Sequence, residues 1–216
     1  MPIILPKGGI IMQTVFNESH TRANLMRAFA GECQSRQRYY QAALTAQQQK
    51  LVGLERMFRF TAEQEERHAM VFWKLMKEAA GHTIDISAGF PADVFDEIQQ
   101  LLDASSKEEN KEFSIVYPDF AQIAEEEGYT EAARKFRMIA EIENVHRARF
   151  RYYADLYRTD KLFRSDDTDQ SWICLNCGHI HKGSEPPQEC PVCSAEKGYF
   201  IREEEAAFTC CAMIKS

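Results

Sequence analysis

Two copies of a Glu-x-x-His spacing constrain this chain more than any other feature. Glu65 and His68 are three residues apart in QEERHA, and Glu143 and His146 have the same spacing in EIENVHRARF. Residues three apart lie on one face of an α-helix, so each pair presents a carboxylate and an imidazole side by side. Both pairs fall among apolar residues at helical spacing, where an unpaired carboxylate is costly to bury. The sequence therefore predicts that cations neutralise these glutamates.

Long helices are predicted for most of the chain. Few glycines or prolines occur between residues 17 and 159, and apolar residues recur with a 3.6-residue period. The breaks give four helices at roughly 17–50, 53–80, 92–127 and 129–159. Pro118 falls inside the third helix and is expected to kink it. Two short turns flanking one long crossover are typical of a ferritin-like four-helix bundle.

Every predicted helix carries glutamate on its apolar stripe. Glu32 precedes Glu65 by 33 residues, and Glu109 precedes Glu143 by 34, so each half reads as a hairpin with one Glu facing a Glu-x-x-His pair. Two such hairpins packed together match the di-iron carboxylate pattern. Carboxylates mixed with imidazole favour iron or manganese over calcium or copper. Single Glu-x-x-His pairs are common on solvated helices, but the apolar placement of both copies favours the metal site. Glu112, one turn beyond Glu109, gives the second hairpin an additional ligand candidate.

A second, small domain is predicted at residues 172–205, after a polar linker at 160–171. Cys174 and Cys177 form one C-x-x-C pair, and Cys190 and Cys193 form another twelve residues later. This spacing is typical of a tetrahedral four-thiolate site for iron or zinc. The domain is too small to fold on apolar burial alone, so a bound metal must stabilise it.

Three further cysteines lie outside this pattern. We expect Cys33 to be a small buried residue within a helix. Cys210 and Cys211, in the tail at 206–216, read either as a redox or metal thiol pair or as thiols without a role. Paired C-x-x-C motifs in a chain of this length indicate metal binding in a reducing cytoplasm rather than a secreted disulfide scaffold.

Composition excludes several classes of partner. The 216 residues contain 33 acidic and 26 basic side chains, for a formal charge of −7, and the basic residues form no stripe, so nucleic acid is not expected. The N-terminal extension at 1–16 is apolar but lacks a basic segment and is broken by Pro6, Gly8 and Gly9. We therefore expect neither a signal peptide nor a membrane segment.

With both candidate sites in view, the chain resembles the rubrerythrins, in which a rubredoxin-like domain follows a ferritin-like di-iron domain. The resemblance covers about 17 to 203, and its most specific parts are FAGECQSRQRYY, TAEQEERHA, EENKEFSIVYPDFAQIAEEEGY and the run from CLNCG to ECPVC. It implies that Glu112 exchanges with His68 when one iron changes oxidation state, and that Tyr39 and Tyr117 lie beside the irons. The N-terminal extension and the tail depart from the family pattern but carry none of the candidate ligands.

The resemblance implies a non-haem di-iron peroxidase that reduces hydrogen peroxide, with electrons relayed through the four-cysteine iron from an NAD(P)H-linked reductase or a rubredoxin. It also implies a head-to-tail homodimer or higher oligomer, with helix exchange between bundles as an alternative. Ferroxidase or iron-storage activity, oxygen reduction and a zinc-stapled structural protein are the competing interpretations. We expect Glu65 and Glu143 to bridge the irons and Glu32 and Glu109 to be terminal. The candidate site residues are Glu32, Glu65, His68, Glu109, Glu112, Glu143, His146, Tyr39 and Tyr117 for two irons, and Cys174, Cys177, Cys190 and Cys193 for a third iron or a zinc.

Overall fold

The computed structural model describes residues 3–4, 10–11 and 14–206, and most of them belong to a four-helix bundle. The helices are α1 His20–Gln48, α2 Val52–Leu75, α3 Ile98–Lys111, α4 Tyr117–Glu126 and α5 Thr130–Arg158. A π-helical turn, Glu112–Val116, joins α3 and α4 into one continuous helical segment. Helix α1 packs chiefly on α2, and α5 packs chiefly on α3 and α4, so the bundle consists of two hairpins. The predicted ferritin-like fold class is therefore confirmed.

Local backbone chemistry sets the helix ends. The Ser19 hydroxyl accepts a hydrogen bond from the backbone N–H of Arg22 at the start of α1, as an N-cap should. The first turn centres on Lys50, which has φ 58°, and Gly53 lies inside α2 rather than in the turn. Helix α2 ends at Leu75, short of the predicted residue 80, and a 3₁₀ turn at Lys77–Ala79 follows it.

The third predicted helix differs most from expectation. It begins at Ile98 instead of residue 92, because the segment before it runs as an extended connection across the bundle. Before Pro118 the helix widens into the π-helical turn, where the N–H of Tyr117 bonds to the carbonyl of Glu112, five residues back. Proline lacks an N–H and its ring would clash with the carbonyl four residues earlier in a regular α-helix. A π-turn is a recognised way of relieving such a conflict within a helix.

The apolar core has two parts separated by a polar layer. One cluster contains Leu25, Phe72 and Phe136, and the other contains Phe58 and Phe150, all buried. The glutamates and histidines of the Glu-x-x-His pairs lie between these clusters along α2 and α5. The layer is therefore closed above and below by aromatic side chains. No helix among the described ranges is long and apolar enough to cross a membrane.

The small domain is an antiparallel sheet built around a central strand. Strand β3, Ser171–Cys174, pairs with β4, Ile180–Lys182, on one side and with β5, Phe200–Arg202, on the other. The first two strands, β1 Ile3–Ile4 and β2 Ile10–Ile11, pair with each other in the N-terminal extension. Trp172 and Phe200 are buried in the small domain, with 0% and 1% of their surfaces exposed. The expected small β domain is thus present at the C-terminal side of the bundle.

The small domain docks on the end of its own bundle. Lys50 in the α1–α2 turn pairs with Glu196 at 2.7 Å, and Arg56 Nη1 donates to the Leu175 carbonyl at 3.0 Å. A 3₁₀ turn, Lys197–Tyr199, brings Gly198 so close to Lys50 that a Cβ there would lie 1.8 Å from the Lys50 carbonyl oxygen. The domain is therefore seated directly on the turn between α1 and α2.

Two expectations about cysteines have different outcomes. The prediction that Cys33 is buried is wrong, because its position on α1 faces outward and the residue is exposed. A small apolar residue in a helix can lie on either side, and the adjacent ligand candidate Glu32 takes the inward position. Cys210 and Cys211 lie outside the described residues.

Candidate metal centres

Two clusters of candidate ligand atoms lie in the polar layer of the bundle, and within each cluster these atoms are within 4.8 Å of one another. The first cluster consists of Glu32, Glu65, His68 and Glu143, and the second of Glu65, Glu109, Glu143 and His146. All of these side chains are buried. Glu65 and Glu143 belong to both clusters, which is the arrangement that two carboxylates bridging a pair of ions require.

The spacing of the ligand atoms fits bound cations. His146 Nδ1 lies 2.9 Å from Glu65 Oε1 and 2.8 Å from Glu143 Oε2, and His68 Nδ1 lies 3.0 Å from Glu143 Oε1. Neighbouring ligands around an octahedral ion at about 2.1 Å are separated by roughly 3 Å. Both Glu143 oxygens and His146 Nδ1 are buried without a hydrogen-bond partner among the described residues. Atoms this close and yet not hydrogen bonded are arranged as ligands of a shared ion.

The pKa values of the clustered side chains also indicate a cation-binding site. Burial, followed by the charge of Glu143, raises the pKa of Glu32 well above its usual range, and burial with Glu65 does the same for the pKa of Glu109. Burial alone would raise the pKa of Glu65, but its contacts with the two histidines outweigh burial and lower that pKa. The pKa values of both histidines are raised, since the surrounding carboxylates outweigh the burial that opposes their charge. Protons would thus offset part of the negative charge of this cluster, and metal cations of higher charge can replace them.

Two tyrosines donate hydrogen bonds across the bundle to the carboxylates of Glu109 and Glu32. The Tyr39 hydroxyl on α1 donates to Glu109 Oε1, and the Tyr117 hydroxyl on α4 donates to Glu32 Oε1. Burial, followed by the charge of the carboxylate that each one contacts, raises the pKa of both tyrosines. Both hydroxyls therefore keep their protons and act as donors. Each hairpin supplies the tyrosine that orients the other hairpin's glutamate.

Glu112 lies outside both clusters. It lines a cavity of about 160 Å³ between α1, the π-helical turn and the long connection, together with Gly31 and Phe90. A Cβ on Gly31 would lie 3.9 Å from Glu112 Oε1 and 3.8 Å from the Phe90 ring. The Arg38–Asp93 ion pair, at 2.7 Å, ties the connection to α1 beside this cavity. The expectation that Glu112 is a ligand in one oxidation state stays a prediction.

The four cysteines of the small domain converge on a single point. Cys174 Sγ lies 3.8 Å from Cys193 Sγ, and Cys177 Sγ lies 3.6 Å from Cys190 Sγ. A metal with bonds of about 2.3 Å to four tetrahedral sulfurs gives edges of roughly 3.8 Å. The Asn176 side chain and a nearby backbone N–H lower the pKa of Cys193 to about 6, whereas burial raises the pKa of Cys174. A bound cation is therefore needed to hold all of these sulfurs as thiolates.

Sequence reasoning missed the residues that surround the histidines. His146 Nε2 lies 3.1 Å from Gln64 Oε1, and Arg149 Nη1 donates to the same oxygen at 3.0 Å and to Thr61 Oγ1 at 2.9 Å. None of these three belongs to a recognised metal motif. Their positions one turn from the ligands on α2 and α5 were the available signal.

Comparison with known proteins agrees with this geometry. The Rubrerythrin family model matches residues 23–154, and the model of the rubrerythrin rubredoxin-like domain matches residues 172–201. The rubrerythrin of Clostridium perfringens (strain 13 / Type A) is 39% identical over 181 residues, which cover 83% of this chain and 92% of that protein. The rubrerythrin of Nitratidesulfovibrio vulgaris is 37% identical over 182 residues, with 84% and 93% covered.

Solved structures show the same architecture. The fully reduced, all-ferrous structure of nigerythrin matches with a TM-score of 0.57 and 28% identity, covering 93% of this chain and 97% of that one. A bacterioferritin from Desulfovibrio desulfuricans, at 20% identity and a TM-score of 0.59 over 65% of this chain and 81% of that one, shares the fold. A di-iron carboxylate site and a rubredoxin-like four-cysteine knuckle are therefore combined in one polypeptide, and the chain belongs to the rubrerythrin family.

Proposed function

We propose that this protein is a peroxidase that reduces hydrogen peroxide to water. The observation that carries the proposal is the pair of adjacent clusters sharing Glu65 and Glu143, on the same chain as a four-cysteine site that would carry one electron at a time when it holds iron. Reduction of one hydrogen peroxide breaks the O–O bond and consumes two electrons and two protons, giving two water molecules. A bound iron pair supplies the two electrons together, which suits this reaction.

The side chains have separable roles in this proposal. Glu65 and Glu143 would be shared by the two metals, Glu32 and Glu109 would each hold one of them, and the two histidines would complete the ligand set. Tyr39 and Tyr117 hold the terminal carboxylates in place through their hydroxyls. The aromatic clusters above and below exclude water from the layer.

Access and proton supply are assigned to the Glu112 side of the bundle. The cavity of about 160 Å³ that Glu112 lines is large enough for a molecule of the size of hydrogen peroxide. We propose that the Glu112 carboxyl, which lines this cavity, passes protons from it to the incoming oxidant. We also propose that Glu112 takes the place of His68 as a ligand when one metal is oxidised.

Electrons are proposed to enter through the small domain. A four-cysteine iron carries one electron at a time, so two transfers restore the pair after each peroxide. An NAD(P)H-linked reductase or a rubredoxin is the proposed donor in the cytoplasm. We further propose a head-to-tail homodimer or higher oligomer, in which the small domain of one subunit also reaches the bundle of another.

The test compares Glu65→Ala with the exposed-site control Glu63→Ala on the same helix. Iron-loaded, pre-reduced protein is mixed with hydrogen peroxide in a stopped-flow instrument, and reoxidation of the bundle metals is followed. We expect Glu65→Ala to abolish peroxide turnover and to keep the red colour of the ferric four-cysteine site, whereas Glu63→Ala behaves as the parent. A full peroxidase rate in Glu65→Ala would show that the assigned centre is wrong.

The same ligands also suit ferroxidase and oxygen-reducing reactions, so the oxidant must be varied. Reduced protein is mixed separately with peroxide and with dioxygen, and excess Fe²⁺ is added in air to look for mineral growth. Faster reoxidation by peroxide, without accumulation of ferric mineral, supports the proposed reaction. Preferential reaction with dioxygen, or sustained oxidation of added Fe²⁺, would favour one of the alternatives.

A further inference from the structure

The two histidines of the bundle are held differently. His146 directs Nδ1 at the bridging carboxylates and Nε2 at Gln64 Oε1, 3.1 Å away. Arg149 Nη1 donates to the same Gln64 oxygen at 3.0 Å and to Thr61 Oγ1 at 2.9 Å, so this oxygen is held by a second donor. The guanidinium also lies 5.1 Å from the centre of the Phe60 ring. His146 is thus anchored through the nitrogen that faces away from the metals.

His68 has no comparable anchor. Its polar contacts with described residues all use Nδ1, which faces Glu32, Glu65 and Glu143. Its side chain retains 8% exposure, whereas that of His146 is fully buried. Rotation of His68 away from the metals therefore breaks no hydrogen bond from Nε2 within the part of the chain that the structure describes.

The internal register of the two hairpins explains the difference. Glu65 and Glu143 are 78 residues apart, and so are His68 and His146. The same shift relates Thr61 to Ile139, Gln64 to Ile142, and Arg149 to Val71. All three positions that support His146 are polar, and all three counterparts are apolar. The first set of positions thus supplies hydrogen-bonding side chains around His146. The three matching positions near His68 hold side chains that cannot form hydrogen bonds.

We propose that Gln64 and Arg149 are positioning residues that lock His146 as a permanent ligand, and that the apolar counterparts leave His68 free to depart. A metal held by Glu109 and His146 would then keep its histidine, whereas one held by Glu32 and His68 would lose its histidine more readily. A hydrogen bond to the outer nitrogen of a ligating histidine fixes its tautomer and ring orientation. Binding at the His146 side therefore requires less reorganisation than binding at the His68 side.

This inference deepens the proposed exchange of Glu112 for His68 by giving a reason for its direction. The cavity lined by Glu112 provides an alternative carboxylate, and the unanchored histidine provides the ligand that leaves. Nothing in the anchoring itself depends on which oxidant the protein reduces. The anchor can therefore be tested on redox-inactive metal, without turnover.

The experiment uses the full-length protein loaded with zinc and labelled with ¹⁵N-histidine. The variants are Gln64→Ile and Arg149→Met, with Ile142→Gln as the matched control at the register-related position. Gln64→Glu serves as a conservative rescue, since it keeps an acceptor oxygen. Calorimetric titration of zinc into protein with a metal-free bundle measures the two bundle sites, and NMR of the zinc-loaded form follows exchange of imidazole N–H protons with solvent.

For the parent we expect one slowly exchanging imidazole N–H, assigned to His146. Gln64→Ile should abolish it and weaken one bundle site 10- to 100-fold, the usual range for loss of such a support, while the other site keeps its affinity. Arg149→Met should weaken the same site less, and Gln64→Glu should restore slow exchange. Ile142→Gln should leave the His146 signal unchanged.

Two results would overturn the proposal. One is retention of the slow N–H in Gln64→Ile, and the other is a change of both bundle sites by the same factor. Neither measurement involves peroxide, so the anchor can fail while the peroxidase assignment stands. Conversely, a protein that does not reduce peroxide can still show a single anchored histidine.

Discussion

Replacement of Gly198 by alanine is expected to detach the small domain from the bundle. A Cβ at this position would lie 1.8 Å from the Lys50 carbonyl oxygen and 3.0 Å from its carbonyl carbon. The obstacle is backbone in a tight turn, so no side-chain rotation relieves it. Restoring an ordinary separation of about 3.2 Å requires the two backbones to move apart by roughly 1.4 Å.

The cost of this separation follows from the contacts that it breaks. The polar contacts nearest to Gly198 are the exposed Lys50–Glu196 ion pair and the hydrogen bond from Arg56 to the Leu175 carbonyl. An exposed ion pair contributes about 0–1 kcal/mol and a charged hydrogen bond about 1.5–3 kcal/mol. A loss of about 2–3 kcal/mol changes the ratio of docked to undocked forms by roughly 30- to 150-fold.

Trypsin cleavage of the Lys50–Leu51 bond reports this ratio directly, because Gly198 covers the bond when the domain is docked. Cleavage tracks the population of the open form when opening and closing are fast. Gly53→Ala is the matched variant, since its Cβ would meet only the Ile201 Cγ2 atom, at 2.6 Å, and that side chain can rotate. We expect cleavage in Gly198→Ala to be faster by one to two orders of magnitude, with a much smaller change in Gly53→Ala. Equal cleavage rates in the parent and Gly198→Ala, with the four-cysteine metal retained, would refute the docking described above.

Three further predictions concern the metal centres. Because Glu32 and Glu109 have raised pKa values and must lose protons to bind metal, the affinity of the bundle for metal should rise with pH, and binding should release protons. Calorimetry in buffers of different ionisation enthalpy measures the number of protons released, and a pH-independent affinity would contradict the prediction. Tyr39→Phe and Tyr117→Phe each leave a buried carboxylate oxygen without its donor, so each should lower the free energy of unfolding of the metal-free protein by about 1–3 kcal/mol. Urea unfolding measures this loss, and parental stability in both variants would contradict a stabilising role for these hydrogen bonds. Cys174→Ser should abolish the red chromophore and unfold the small domain while the bundle still binds two metals; metal analysis with visible absorbance checks this, and an unchanged red spectrum would exclude Cys174 as a ligand.

The sequence was sufficient to predict the bundle and the six residues that cluster in it. Glu65 and His68, for example, can be identified from the sequence because a pair of polar residues at i and i+3 interrupts an apolar helical stripe. The predicted four-thiolate group was equally accessible, since ligand spacing in a small domain leaves little conformational choice. Periodicity identifies which residues point inward, and ligand chemistry then follows from residue type.

Features that arise from tertiary contacts were not predictable in this way. Gln64 and Arg149 lie 85 residues apart, and only the packing of α2 on α5 brings the Arg149 guanidinium to Gln64 Oε1. The docking of Gly198 on Lys50 depends on the path of the linker, for which no periodic pattern exists. The exposure of Cys33 was also not predictable, because the residue type of a small side chain does not indicate whether it faces the core or the solvent.

The π-helical turn at Glu112–Val116 reconciles two unequal spacings. Tyr39 follows Glu32 by seven residues, which is two turns of regular helix, whereas Tyr117 follows Glu109 by eight. Without compensation, the eighth residue would be rotated about 80° from the ligand face, given 100° per residue. A turn closed by a five-residue hydrogen bond absorbs one extra residue, so Tyr117 returns to the azimuth at which it reaches Glu32. The extra residue in the second hairpin is thus accommodated within one helical turn. Both tyrosine hydroxyls therefore point toward the carboxylates from nearly the same angle around their helices.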